Sequence, residues 1–259
     1  MSPFIHETAI VASTARLGKG VKIGPFSTIG SEVVLGNGVR IDSHVVIDGK
    51  TTIGDETHVF PFASIGLEPQ DLKYSGEPTT TEVGRRNQIR EGVTIHRGTA
   101  GGGGVTKVGD DNLLMAQVHV AHDCVVGNEN VFANGTALAG HVEVSDRVTI
   151  GAFCGVHQFS RIGKEAFIGA YSVIVKDPIP YSLSYGNHAK CYGMNRVGMR
   201  RRGYTKETIE SVRHAFHLLL SSKLNTTQAV ERIREEIKGC SEVDHMIEFI
   251  TSSKRGVIK

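Results

Sequence analysis

The 259-residue chain has no tryptophan, only 6% aromatic residues and 7 prolines. With so few large side chains, its core must be thin and regular, packed from valine, isoleucine and leucine. No apolar run approaches the roughly 20 residues of a membrane-spanning helix, which predicts no stable membrane insertion. The four cysteines, Cys124, Cys154, Cys191 and Cys240, form no C-x-x-C pair and match no zinc ribbon or finger. No signal peptide opens the chain, so they read as reduced thiols of a cytoplasmic protein. Net charge is a small +2, but it is unevenly spread. Residues 1–185 carry 15 Lys+Arg against 19 Asp+Glu, a balance of −4, while residues 186–259 carry 14 against 8, a balance of +6. The basic C-terminal part suggests an acidic partner or a phosphate-bearing ligand; a solvated helix surface competes with that reading, and no nucleic-acid partner is expected.

What the chain has in abundance is glycine, 31 residues, and a rhythm of six. Counting from Ile5, apolar residues stand at Val11, Leu17, Ile23, Ile29, Leu35, Ile41, Ile47, Ile53, Val59 and Ile65. The rhythm returns at Val83, Ile89 and Ile95. It resumes at Val108 and runs through Leu114, Val120, Val126, Phe132, Leu138, Val144, Ile150, Val156, Ile162, Ile168 and Ile174. A period of six fits neither an α-helix nor an alternating strand. It fits a coil of three sides, each a short strand plus a corner, with the repeated residue pointing inward and stacking on its counterpart one coil away. Successive coils pair in parallel, which makes a parallel β-helix. Glycine often follows the apolar residue, as at Gly24, Gly36, Gly54 and Gly127, and is expected to serve the corner by adopting positive φ.

The rhythm breaks at 66–82 and 97–107, and long loops in a compact repeat are usually functional. The first break diverts a coil's worth of sequence without loss of phase. The second contains Gly101–Gly104 but no G-K-[ST], so it reads as a flexible loop rather than a phosphate cradle. Asp177-Pro178-Ile179-Pro180 ends the repeat. The expected division is a β-helix domain over 1–185 and a helical domain over 186–259. Thr205 starts a helix with Ile209, Val212, Phe216, Leu219 and Leu220 on one face; Ala229, Val230, Ile233 and Ile237 mark a second. Ser241 with Asp244 reads as the capping box of a third.

A β-helix has no activity of its own, so function must come from a site. Five of the twelve histidines, His96, His119, His122, His141 and His157, lie between 96 and 157. Their spacing places them on one side of neighbouring coils. His122, followed by Asp123, is the candidate general base. Surface histidines on a strand edge, or a ladder that only fills space between subunits, would give the same spacing.

Several motifs then carry a resemblance. The hexapeptide rhythm is similar to that of the left-handed β-helix acyltransferases. The stretches Gln70-Asp71-Leu72-Lys73-Tyr74, Ile95-His96-Arg97-Gly98-Thr99, Asp111-Asn112-Leu113-Leu114-Met115, His119 to Asp123, Leu138-Ala139-Gly140-His141-Val142, Val156-His157-Gln158-Phe159 and Arg200-Arg201-Arg202-Gly203 resemble the UDP-N-acetylglucosamine 3-O-acyltransferase family. The match covers essentially the whole chain. It implies a cytoplasmic homotrimer with active sites between subunits and no cofactor or metal. It also implies transfer of a 3-hydroxyacyl group from acyl carrier protein to the sugar nucleotide, the first step of lipid A biosynthesis. By the same resemblance, His122 is the base, Asp123 its orienting partner and the Gly140 N–H the oxyanion donor. Asp71, Lys73 and His96 would hold the glucosamine. His119, His141, His157, Gln158, Asn195 and Arg201 would bind the nucleotide and shape the cleft. Arg201 also makes sense independently, because a guanidinium pairs with phosphate oxygens in two-point contacts. Arg200 and Arg202 would face the acidic carrier protein. Ala170, in a position that can stop the acyl tail, would leave room for a medium-to-long chain. Val197 stands where some relatives carry an acid, which leaves that contact in question.

Adjacent strand residues point to opposite faces, so His122 and Asp123 can cooperate only at a bend or indirectly. Two further readings stay open on the sequence. The acceptor could carry a 3-amine in place of the hydroxyl. The fold is also shared by γ-carbonic-anhydrase-type zinc hydratases, which need three histidines on one metal. A non-catalytic scaffold fits poorly, because it has no use for the two loops.

Overall fold

The structure, a computed structural model, describes residues 2–259. Two-residue strands recur every six residues and assemble into three parallel sheets, the faces of a triangular prism. The first face begins with Phe4–Ile5, Lys22–Ile23 and Arg40–Ile41; the second with Ile10–Val11, Thr28–Ile29 and Val46–Ile47; the third with Arg16–Leu17 and Val34–Leu35. Each strand pairs with the one eighteen residues on, Phe4 with Lys22 and Lys22 with Arg40. Every repeat residue from Ile23 to Ile174 is buried, while Ile5 at the open end stays exposed. The prism is a left-handed β-helix with a helical region at its C-terminal end.

A second inward position lies two residues before each repeat residue. It takes valine or smaller and polar side chains, among them Val21, Ser27, Thr57, Asn87, Asn112, Cys124, Asn130 and Cys154. Asparagines there form a ladder: Asn112 N–H donates to Asn87 Oδ1 (2.9 Å) and Asn130 N–H to Asn112 Oδ1 (2.8 Å). Cys124 and Cys154 are therefore packing residues, and burial pushes the Cys124 thiol up to about 12.

Apart from Gly66 at the first insertion (φ 79°), the glycines after the repeat residues do not supply positive φ. At Gly54 a Cβ would stand 2.6 Å from the backbone carbon of Gly84 on the next coil. What these positions require is close approach of backbone, not left-handed geometry. Positive φ falls two residues later, mostly at side-chain-bearing residues such as Phe26, His44, Asp123 and His141 (φ 58 to 61°). The corner therefore places chemistry-bearing side chains in a fixed left-handed turn.

Both insertions leave the prism at the same edge, between the second and third faces, on consecutive coils. His58 pairs with Gln88, thirty residues on instead of eighteen, so the first insertion adds twelve residues, two sides of the prism and not a whole coil. Gln88 pairs with Leu113, twenty-five on, so the second adds seven. Strands Ser64–Leu67 and Thr80–Val83 flank the first loop, Thr94–His96 and Val105–Val108 the second. The second loop is not merely flexible: it contains a 3-10 turn, Ala100–Gly102, and packs against Asp123.

Strand Ser182–Gly186 extends the first face, Leu183 against Phe167, and turns back antiparallel into Ala189–Met194. The expected 185/186 boundary thus falls within a hairpin. Four helices follow: α1 (Arg196–Arg201), α2 (Lys206–Leu220), α3 (Thr226–Glu236) and α4 (Ser241–Ser252). Thr205 caps α2, accepting from Thr208 N–H at 3.2 Å. The capping box belongs to α3, where Asn225 and Gln228 exchange bonds, and not to Ser241 and Asp244. The α4 cap is Cys240, with no side-chain bond. Ile237 ends α3 in extended geometry instead of continuing it. Helix α1, too short to show a period, has no counterpart in the sequence reading. The helices form their own core around Ile179, Tyr181, Val212, Phe216, Ile233 and Met246.

Candidate active site

On the outside of the second face, Thr94, His119, Ala137, Gly155 and Val173 stand in register, one per coil. Above His119 the column drops to small side chains, and a groove of 570 Å³ opens over them. His96, His119, His122, Gly140 and Gln158 are among its walls, with Gln70 from the first loop at one end. At that end His96 and His119 meet edge to face, ring centroids 5.1 Å apart. Thr94 Oγ1 lies 2.6 Å from His119 Nδ1. His96 is buried, its Nδ1 has no partner, and burial lowers its pKa to about 4, helped by the nearby His119 and His122. It is a neutral imidazole at neutral pH. Burial lowers His119 as well.

The bend that His122 and Asp123 require is present. Asp123 is the left-handed corner residue (φ 59°), which brings its carboxylate back beside its neighbour. His122 Nδ1 lies 2.8 Å from Asp123 Oδ2. The Asp123 side chain is fully buried, whereas His122 keeps 15% of its surface. Asp123 is held from several sides. Thr99 N–H donates to Oδ1 (2.9 Å), Thr99 Oγ1 donates to Oδ2 (2.7 Å), and Asp123 N–H donates to Thr106 Oγ1 (2.8 Å). With Nδ1 facing the carboxylate, the ring turns its other edge toward Gly140, where a Cβ would lie 2.7 Å from His122 Nε2. Among the described residues the Gly140 N–H has no acceptor within the chain.

His141 occupies the next corner. Its Nε2 is 3.9 Å from Asp123 Oδ2, its ring meets His122 edge-on at 5.2 Å, and Phe159 stacks on it at 4.4 Å. His157 and Gln158 follow one coil on, His157 Nδ1 lying 3.0 Å from the Gln158 carbonyl oxygen. His122, Asp123 and His141 are the one group of three potential metal ligands among the described residues. It consists of two imidazoles and a carboxylate, not the three histidines of a zinc hydratase.

The remaining candidates lie elsewhere. Asp71 and Lys73 sit on the first loop, where Asp71 Oδ1 accepts from the Lys73 N–H at 3.0 Å, and neither lines the groove. Arg97 ties that loop down through Glu68 (3.3 Å) and the Tyr74 ring. Asn195 and Arg201 line a second groove of 600 Å³ on the first face, with Arg147, Val197 and Arg202. Asn195 has a structural duty as well: it caps α1 through Gly198 N–H and donates to the Glu165 carbonyl (3.1 Å). Arg202 is drawn to the buried Glu165 (3.7 Å), whose other oxygen accepts from the Tyr204 hydroxyl (2.7 Å), while Arg200 is exposed. Ala170 is an exposed corner residue on the edge between the first and second faces. A single chain thus brings His96, His119, His122 and His157 together along the second face, turns His141 round the corner with Asp123 into a neighbouring groove, and places Asn195 and Arg201 on the first face.

A family model described as bacterial transferase hexapeptide (six repeats) matches residues 14–49 and 106–140. A second, described as UDP-N-acetylglucosamine O-acyltransferase, domain 2, matches 177–258. An acyl-[acyl-carrier-protein]--UDP-N-acetylglucosamine O-acyltransferase from Myxococcus xanthus is 51% identical over 98% of this chain and 99% of that protein. The chain belongs to the UDP-N-acetylglucosamine O-acyltransferase family. A relative of the same description from Thermodesulfovibrio yellowstonii is 45% identical over the same shares. The solved UDP-N-acetylglucosamine acyltransferase from Bacteroides fragilis superposes with a TM-score of 0.97 at 39% identity, covering 99% of this chain and all of that one. The acyltransferase domain-2 model starts at Asp177, where the repeat stops, and so takes in the hairpin and all four helices. What sequence reading missed in this acyltransferase is the support beneath the histidines, namely Thr94, Thr99 and Thr106. Each is an ordinary threonine whose partner is 17 to 25 residues away.

Proposed function

We propose that the chain transfers a (3R)-3-hydroxyacyl group from acyl carrier protein to the 3-hydroxyl of UDP-N-acetylglucosamine, the first step of lipid A biosynthesis, with His122 as general base. The observation that carries the assignment of the base is the stack of Asp123, His122 and Gly140. The buried carboxylate takes the Nδ1–H of His122, which fixes the tautomer and leaves Nε2 as acceptor toward the groove. As Nε2 removes the sugar hydroxyl's proton, the oxygen forms its bond to the thioester carbon. The carbonyl oxygen becomes the oxyanion that the unpartnered Gly140 N–H receives. Collapse breaks the C–S bond, and His122 returns the proton to the departing thiol. Cys124 and Cys154, buried in the prism, take no part.

The working unit is a homotrimer with clefts between subunits. Two features support this. The histidine groove and the Asn195–Arg201 groove lie on the two faces that share one edge. That edge carries an exposed aromatic ladder in which His44 lies 5.1 Å from both Phe26 and Phe62, and Phe153 stacks on Tyr171. Three prisms meeting at that edge would bury the ladder and set the second face of one subunit opposite the first face of the next. The diphosphate would then lie between His122 of one subunit and the Arg201 guanidinium of its neighbour. The test is incubation with UDP-N-acetylglucosamine and 3-hydroxyacyl carrier proteins of several lengths. An O-acylated sugar nucleotide is the expected product, and no transfer at any length would contradict the reading.

A further inference from the structure

We propose that Thr99 is a positioning residue for the transfer reaction, and that the glycine-rich second insertion serves to hold Asp123. The inference rests on reading His122 as the base. The seven inserted residues leave the prism on the coil directly below His122, at the edge where Asp123 turns its corner. They do not extend into solvent. Thr99 donates twice to the carboxylate, from N–H to Oδ1 (2.9 Å) and from Oγ1 to Oδ2 (2.7 Å). The turn Ala100–Gly102 then lays Gly102 flat against the same carboxylate, where any Cβ would collide with Oδ1, Oδ2 and the carboxyl carbon. Gly98 closes in from the other side, its Cβ position 2.8 Å from Oδ1.

The consequence is chemical as well as geometric. A buried carboxylate with one partner would be free to rotate and would place its full charge on His122. With both oxygens engaged by Thr99, it is fixed in the one orientation that accepts His122 Nδ1–H, and its charge is shared among three donors. The groups facing His122 are Asp123, His141 on the next corner, and His119 and His96 on the second face. Removing the Thr99 hydroxyl changes only the first of these.

The experiment compares Thr99→Val and Thr99→Ser trimers with wild type, measuring kcat, KM for the sugar nucleotide, the pH profile and thermal stability. Thr99→Val should lower kcat by about tenfold to a hundredfold with KM nearly unchanged. Its pH profile should also change, because the carboxylate that holds His122 Nδ1–H has lost one of its donors. Thr99→Ser should restore both. Gly102→Ala, which leaves Thr99 intact but presses on Asp123, should lower kcat in the same way. A Thr99→Val enzyme with wild-type kcat and pH profile overturns the proposal, as does a kcat loss that Ser fails to rescue. His122→Ala is run alongside: if it is active the base assignment fails, and if it is inactive while Thr99→Val is normal only the role of Thr99 fails.

Discussion

Gly140 lies directly over the His122 ring, with the position of a Cβ 2.6 Å from Cε1 and 2.7 Å from Nε2. A methyl group there would occupy the space where the sugar hydroxyl and the thioester must meet. Gly140→Ala should therefore lower kcat/KM by about 100-fold or more while leaving the prism folded, because the φ of residue 140 is not positive and the added methyl meets the His122 side chain rather than backbone. Steady-state kinetics with a melting curve check this; activity within a few-fold of wild type would count against it.

The separation of His122 from Arg201 on two faces gives a test of the shared cleft. Trimers of His122→Ala chains and trimers of Arg201→Ala chains should each be poorly active at low sugar nucleotide concentration. If the two variants are co-expressed equally, about a quarter of the clefts should combine both wild-type residues. Activity of the mixed trimers should then rise toward a quarter of the wild-type value. Activity no greater than the average of the two parents would place both residues in one subunit's site.

Burial of His96 makes stability pH-dependent. Its folded pKa is depressed to about 4 from 6.5. Above pH 6.5 neither state holds the proton. As pH falls from 6.5 towards 4 the unfolded chain takes up a proton that the native site refuses, so stability is lost across that window. The contribution is at most about 3 kcal/mol per chain, and His119, depressed in the same direction, adds to it. His96→Asn should flatten the dependence of Tm on pH between 6.5 and 4. An unchanged slope would show that the imidazole is solvated.

Ala170 bears on acyl length. It stands at the corner that leads into strand Val173–Ile174 of the face that carries the groove. If this position stops the acyl tail, as the family resemblance implies, its small side chain leaves room and medium-to-long 3-hydroxyacyl chains should react. Ala170→Met should shift preference to shorter ones in a chain-length panel. A wild-type enzyme that accepts only chains of about 10 carbons or fewer would contradict this.

Much of the fold was legible because each side of the prism repeats one inward residue, and Ile23 to Ile174 are buried as their period requires. The glycines misled: Gly54 answers to the backbone of Gly84 and not to φ, a contact between coils that no single side reveals. The insertions were visible as breaks, but their lengths were not, since Ile65 and Val83 lie on different faces. Among site residues, spacing near eighteen put the histidines on neighbouring coils but not in one column, since His119 is followed in register by Ala137 and Gly155. The cooperation of His122 with Asp123 depended on a corner that the sequence marks only indirectly, three residues after Val120. Thr99 and Thr106 were out of reach, because their partner is brought to them by pairing between coils. Helix α1 and the cap at Asn225 escaped for a local reason, since short helices and caps carry little periodic signal.

The most direct measurement is the single-turnover transfer rate of His122→Ala in trimers of wild-type stability, with both substrates saturating. Removal of the base should slow acyl transfer by about 100-fold to 10,000-fold and flatten its pH dependence. A variant that transfers within tenfold of wild type, with the same pH profile, would contradict the assignment of His122 as the base.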